Sequence, residues 1–118
     1  MNFFNEGNKY YNLKDYEKAI DFYKMSIENN EHIACSYYNS GVCYIKLKNF
    51  DRAVEMIKVA LSTQQESKYF FNLAYCYAMK DDMKKALIYF NMSWSLDPSD
   101  TDCEKAISLI MAKNKKAL

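Results

Sequence analysis

The chain writes one pattern three times. Phe3, Gly7 and Tyr10 are followed by Ala19 and Tyr23; Tyr37, Gly41 and Tyr44 by Ala53 and Ile57; Phe70, Ala74 and Tyr77 by Ala86 and Phe90. Ala19 and Ala53 lie 34 residues apart and Ala53 and Ala86 lie 33 apart, so one residue has been lost between the second and third copies. A period of this length marks a supersecondary unit that buries its apolar face only by stacking on its neighbours. The expected product is a solenoid, which offers an extended concave surface and no deep catalytic cleft.

Each copy reads as a helix hairpin. Its first half places apolar or small residues at i, i+4 and i+7, one stripe of a helix, as in Phe3, Gly7 and Tyr10. The second half repeats the spacing: Ala19, Ile20, Tyr23 and Ile27 are expected to face inward, as are Ala53, Val54, Ile57 and Leu61, and then Ala86, Leu87, Phe90 and Trp94. Between the halves stand Asp15, Asn49 and Asp82, side chains that can cap the following helix by accepting a backbone N–H bond. Gly7, Gly41 and Ala74 are expected to face Ala19, Ala53 and Ala86, so that the two axes approach closely while the tyrosines fill the ends.

Composition narrows the class. Half the residues are apolar and 16% aromatic, against only two Gly and one Pro in 118 residues, too little punctuation for a strand-rich or loop-rich chain. The reading is all-α and one domain, large enough to bury a contiguous core. The formal net charge is +1 and Arg52 is the only arginine among 16 basic residues, which argues against a nucleic-acid surface with its arginine forks. No apolar run approaches the roughly 20 residues that span a bilayer, and the opening residues lack a charged region followed by an apolar stretch. A cytoplasmic protein without membrane or cofactor is expected. Cys35, Cys43, Cys76 and Cys103 form no C-x-x-C pair and His32 is the only histidine, so neither a zinc site nor a redox motif is indicated. Cys43 and Cys76 each precede the pattern tyrosine and read as small hydrophobes packed between helices.

With its three copies in register, residues 1–100 resemble the tetratricopeptide repeat family, whose pattern runs W-x-x-L-G-x-x-Y, then A-x-x-x-F, then P. Departures are Phe or Tyr for the leading Trp, Glu6 and Ser40 for the Leu, Ala74 for the Gly, and Glu31 and Gln65 for the closing Pro, which only Pro98 keeps. The resemblance implies a right-handed superhelical α-α solenoid of three helix-turn-helix repeats, 1–33, 34–66 and 67–100, with a seventh, solvating helix over 101–118. Ser99 and Asp100 offer caps for that helix, on which Cys103, Ile107, Ile110, Met111 and Leu118 form the apolar stripe opposite Glu104, Lys105, Lys113 and Lys115. The first copy carries Lys9 where the later ones have Cys43 and Cys76, and residues 1–118 read as a complete array in a single domain.

Function is then sought on the face opposite the packing stripe. Two helical steps past each leading aromatic stand Asn5, Asn39 and Asn72, although asparagine costs roughly half a kcal/mol against alanine inside a helix. In the family this face lines the concave groove, as in O-linked N-acetylglucosamine transferase. A ladder of amides, each both donor and acceptor, would there hold an extended chain by its backbone. Phe4, Tyr38 and Phe71 precede the asparagines, and Asn8, Val42 and Tyr75 lie farther along, with Lys46 and Lys68 at the edges of a slightly basic groove. Three hydrogen bonds at about 1 kcal/mol each fall short of micromolar binding, so the aromatics must supply the difference. The clamp that co-chaperone members use on a terminal carboxylate is matched by Asn8, Asn39 and Lys68 but broken by Phe4 and Asn72, which replace a lysine and the arginine. His32 lies in the inter-repeat turn between Glu31 and Ile33 and reads as a solvated turn residue. The expected function is a non-enzymatic module that binds an extended peptide or partner helix; its rivals are a self-associating scaffold and a substrate-presenting domain of a larger enzyme.

Overall fold

The computed structural model describes residues 2–117, with side-chain surroundings as far as Lys113. Among the described residues there are seven helices and no strand: α1 (Phe3–Asn12), α2 (Tyr16–Glu28), α3 (Ile33–Lys46), α4 (Phe50–Thr63), α5 (Ser67–Met79), α6 (Met83–Leu96) and α7 (Thr101–Ala117). They fall into two compact units, Met1–Gln64 and Gln65–Leu118.

Three hairpin turns share one construction. Lys14, Lys48 and Asp81 each take the left-handed conformation, at φ 62°, 60° and 64°. The next N–H in each turn, that of Asp15, Asn49 or Asp82, reaches back five residues to the carbonyl of Tyr10, Tyr44 or Tyr77 at 2.8–2.9 Å. These bonds satisfy carbonyls that the helix end would otherwise orphan. The same three residues then cap α2, α4 and α6, their side chains accepting from the N–H of Lys18, Arg52 and Lys85 at 3.1–3.2 Å. One residue thus closes the first helix with its backbone and opens the second with its side chain, which fixes each hairpin by local chemistry alone. The capping role expected of Asp15, Asn49 and Asp82 is present at all three positions.

In the first unit α2 packs against both α1 and α3, and α3 against α4. Its fully buried residues include Ala19, Tyr23, Cys43, Ala53, Ile57 and Ala60. Gly7 makes room for the Tyr23 ring, and Gly41 for Ile57 together with Ala53, the alanine it was expected to face. A Cβ added at Gly7 would stand 2.6 Å from the Tyr23 ring, and one at Gly41 would stand 2.6 Å from Cγ1 of Ile57, with the Ala53 carbonyl at 3.3 Å. Between α2 and α3 the chain turns through Asn30 and His32, both left-handed. Two buried serines hold this turn: Ser26 Oγ donates to the Glu31 carbonyl at 2.7 Å and Ser36 Oγ to Ser26 Oγ at 3.1 Å. Where the family pattern has proline, a hydroxyl pair does the fastening.

In the second unit α5 packs on α6 and α6 on α7. Tyr69, Leu73, Ala74, Cys76 and Ala86 are buried. Trp94, expected inside, is 41% exposed and its Nε1 donates to the Pro98 carbonyl at 3.2 Å. The inward place belongs to Ser93, whose hydroxyl donates to the Ser67 carbonyl at 2.9 Å, while the Ser67 hydroxyl lies 2.9 Å from the Ser93 carbonyl. Helices drawn together by serine pairs leave no room there for an indole. On α7, Cys103 and Ile110 are buried, Ile107 is half-buried and Met111 is exposed; Leu118 lies outside the described residues, as do the surroundings of Lys115. Asp100 caps α7, accepting from the N–H of Asp102 and Cys103 at 3.0 and 3.3 Å. None of the four cysteines is in a disulfide, and burial pushes the thiols of Cys43 and Cys76 up to about 12.

Candidate functional site

In the first unit the exposed faces of α1 and α3 meet over a pocket of about 240 Å³. Asn8 and Tyr11 line it from α1, Tyr38, Asn39 and Val42 from α3, and the buried Tyr23 of α2 lies at its base. Helical spacing dictates this grouping: Asn8 and Tyr11 are three apart on α1, and Tyr38, Asn39 and Val42 span one turn of α3. Asn8 sits at the centre. Its Oδ1 accepts from the Tyr23 hydroxyl at 2.6 Å and from Asn39 Nδ2 at 3.4 Å. Burial raises the Tyr23 hydroxyl above the ordinary phenol range, with Cys43 adding to the effect and a hydrogen bond from Asn39 opposing it. The phenol therefore stays a donor, and the two amides are held in fixed orientation beside it.

Four of the sequence-selected residues, Asn8, Tyr38, Asn39 and Val42, are thus brought together. Tyr38 is only 9% exposed, so it contributes an edge and not a face. Phe4 is not part of the lining: it packs against the Tyr23 ring at 5.9 Å and stacks on His32 at 4.4 Å between ring centroids, which gives the exposed His32 ring a partner it was not expected to have. Asn5 is exposed near the start of α1, where its backbone N–H is capped by Asn2 Oδ1 at 3.0 Å, and Lys46 is exposed at the far end of α3. Sequence reasoning missed Tyr23 as a polar contributor. Its signal was the hydroxyl at a place where the other copies carry Ile57 and Phe90.

The second unit arranges its selected residues differently. Asn72 Nδ2 donates to the Lys68 carbonyl one turn earlier at 3.1 Å, and Tyr75 is 38% exposed. Phe71 meets Phe90 edge to face at 5.3 Å. Lys68 and Phe71 share a shallow hollow with Glu66, Asp97, Asp100 and Asp102. Lys68 pairs with Glu66 at 3.7 Å, and Asp97 and Asp100 come from the α6–α7 turn and Asp102 from the first turn of α7, so this surface is acidic where a slightly basic one was expected. Among the described residues no group of His, Cys, Asp and Glu could hold a metal ion, and no helix is long and apolar enough to cross a membrane.

The sequence profile of the family described as IFT56, Intraflagellar transport protein 56, matches residues 7–101. No curated protein sequence matches the chain. Among solved structures it is similar to YrrB, described as a TPR protein with an unusual peptide-binding site, with 23% identity and a TM-score of 0.86 over 95% of this chain; it spans 58% of the YrrB chain. It is similar to the first TPR of Spaghetti (RPAP3) bound to the HSP90 peptide SRMEEVD, at 18% identity and a TM-score of 0.90, over 96% of this chain and 90% of that one. A third likeness is to the Yersinia enterocolitica secretion chaperone SycD in complex with a peptide of the translocator YopD, at 15% identity and a TM-score of 0.89, over 95% of this chain and 92% of that one. At these identities the likeness is one of fold. Three copies of the repeat in helical register, tetratricopeptide structures as neighbours and a profile that matches most of its length together show that the chain belongs to the intraflagellar transport protein 56 family and is built of tetratricopeptide repeats.

Proposed function

We propose that this chain is a non-enzymatic interaction module that binds an extended peptide segment of another protein along the exposed faces of its first helices. The observation that carries the reading is the pre-oriented Asn8–Asn39–Tyr23 cluster at the pocket in the first unit. Each amide has donor and acceptor capacity beyond these bonds, enough to engage a peptide group, while Tyr11 and Val42 supply apolar contact. Asn5 and Asn72 occupy the same place in their repeats as Asn39 and extend the proposed contact, with Phe4, Phe71, Tyr75, Lys46 and Lys68 at its margins. That SycD and the Spaghetti domain were solved with peptides, and that YrrB is described by its peptide-binding site, supports a ligand of this kind. The family's name suggests that the ligand belongs to a protein of intraflagellar transport.

Selection from a displayed library of random linear peptides, followed by calorimetry, tests the reading. An Asn5→Ala, Asn39→Ala, Asn72→Ala triple variant removes about 1 kcal/mol per hydrogen bond, so selected peptides are expected to bind roughly 100-fold more weakly. Unchanged affinity in a triple variant whose helical circular dichroism matches wild type would remove the amides from the site.

A further inference from the structure

The pocket of the first unit has a counterpart inside the second. It lies between α5 and α7 over α6, with a volume of about 300 Å³. The lining makes the correspondence explicit. Ala106, 34 residues after Asn72, holds the place of Asn39, Leu109 holds the place of Val42, and Phe90 holds the place of Tyr23. Asn39, Tyr23 and Tyr11 of the first pocket have apolar counterparts here, and Tyr75, in the place of Asn8, is not part of the lining. The amide is a methyl, the phenol is a phenyl, and Ala78 stands where the first unit has Tyr11. Ile110, 7% exposed, and Met83 complete an apolar lining, and Leu109 is 69% exposed at the opening. Among the described residues the only charged group in the lining is Lys113, which makes no ion pair with another of them.

We infer that this pocket is an anchor site that takes one bulky apolar side chain, Leu, Ile or Phe, of a peptide whose adjacent residue is acidic. Size supports the apolar part, because a dry pocket of about 150 Å³ already holds a benzene ring, and this one stands at the lower end of the range for ligand clefts. Charge supports the acidic part. A lysine is a flexible point charge that pairs with a carboxylate without demanding a fixed geometry, and in an apolar rim it rejects a basic neighbour. Leaving the pocket empty exposes Leu109 to water, and an apolar side chain placed against it and Ala106 removes that surface. The inference rests on the peptide-binding reading above and adds to it a sequence preference that the backbone-directed amides of the first unit cannot supply.

The test is a titration of the ¹⁵N-labelled full chain with capped hexapeptides Ser-Gly-X-Z-Gly-Ser, where X is Leu, Phe or Ala and Z is Glu or Lys. Leu and Phe peptides with Glu at Z should shift the Ala78, Phe90, Ala106 and Leu109 amides and bind at least roughly tenfold more tightly than the Ala peptide. Exchanging Glu for Lys should weaken binding a few-fold, and Lys113→Gln should erase that difference. Leu109→Ser and Ala106→Asn alter exposed or half-buried positions on α7 and should abolish the preference for Leu over Ala while the helical signal stays intact. Equal binding of the Leu and Ala peptides, with shifts confined to the Asn8 and Asn39 region, would overturn the anchor site and leave the peptide groove standing. No shift anywhere at millimolar peptide would sink both. Shifts at the pocket amides that follow protein concentration without peptide would assign the pocket to a second copy of the chain and overturn the inference.

Discussion

Gly41→Ala sets two effects of known size against each other. Gly41 is a buried residue inside α3, and alanine is favoured over glycine in a helix interior by about 1 kcal/mol, so backbone preference alone predicts stabilisation. Opposing it, the new Cβ would stand 2.6 Å from Cγ1 and 3.3 Å from Cδ1 of Ile57. The shorter distance lies about 1 Å inside the optimal carbon separation. Ile57 is fully buried and β-branched, so its χ1 is held to one rotamer in α4 and the offending carbon cannot swing away. Overpacking of this sort costs about 1 to 3 kcal/mol, leaving a net loss of up to about 2 kcal/mol. The expected fall in melting temperature is about 3–5 °C for each kcal/mol in a chain of this size. Urea unfolding followed by circular dichroism measures it. The decisive arm is the Ile57→Ala background, which itself costs about 2 to 5 kcal/mol. With Cγ1 and Cδ1 gone only the Ala53 carbonyl, at 3.3 Å, still crowds the new Cβ, so Gly41→Ala should be more favourable in that background by about 1 to 3 kcal/mol, a coupling read within one double-mutant cycle. If Gly41→Ala stabilises the chain with Ile57 in place, or acts equally in both backgrounds, close approach is not the reason for glycine here.

Two further outcomes follow from the buried thiols and the repeat array. Burial holds Cys43 and Cys76 neutral up to about 12, whereas an unfolded thiol ionises near 8.5, so their contribution is complete below about pH 8.5 and is lost as pH rises towards 12. The urea midpoint should therefore fall between pH 8 and pH 10.5, and a Cys43→Ala, Cys76→Ala variant should show a shallower fall; an identical slope in the two proteins would mean that the thiols are not the titrating groups. We also propose that residues 1–118 unfold as one domain, giving a single thermal transition in calorimetry. Two resolved transitions, or a fragment 1–64 with the full chain's midpoint, would count against it.

What was legible in the sequence was whatever short-range chemistry decides. The seven helices and the capping roles of Asp15, Asn49 and Asp82 follow from spacing and hydrogen-bonding groups within a few residues of one another. The left-handed turn residues were less visible, because Lys14, Lys48 and Asp81 are not the glycines that usually announce that conformation. Burial around a helix was less visible still. Ser93 and Trp94 are neighbours, and both lie within reach of the stripe through Phe90, so periodicity alone could not choose between them. Reciprocal bonding of Ser93 to Ser67 chose the serine.

The candidate site divides in the same way. By itself the sequence determined that one place on the first helices carries asparagine three times; with copies spaced 34 and then 33 residues apart it did not fix that Ala106 holds that place on α7. Only the tertiary structure decided which residues those positions meet: Asn39 beside Asn8 over the Tyr23 hydroxyl, and Ala106 beside Leu109 over the Phe90 ring. A pocket's polarity is set by side chains drawn from three helices far apart in the chain, and no local rule brings them together.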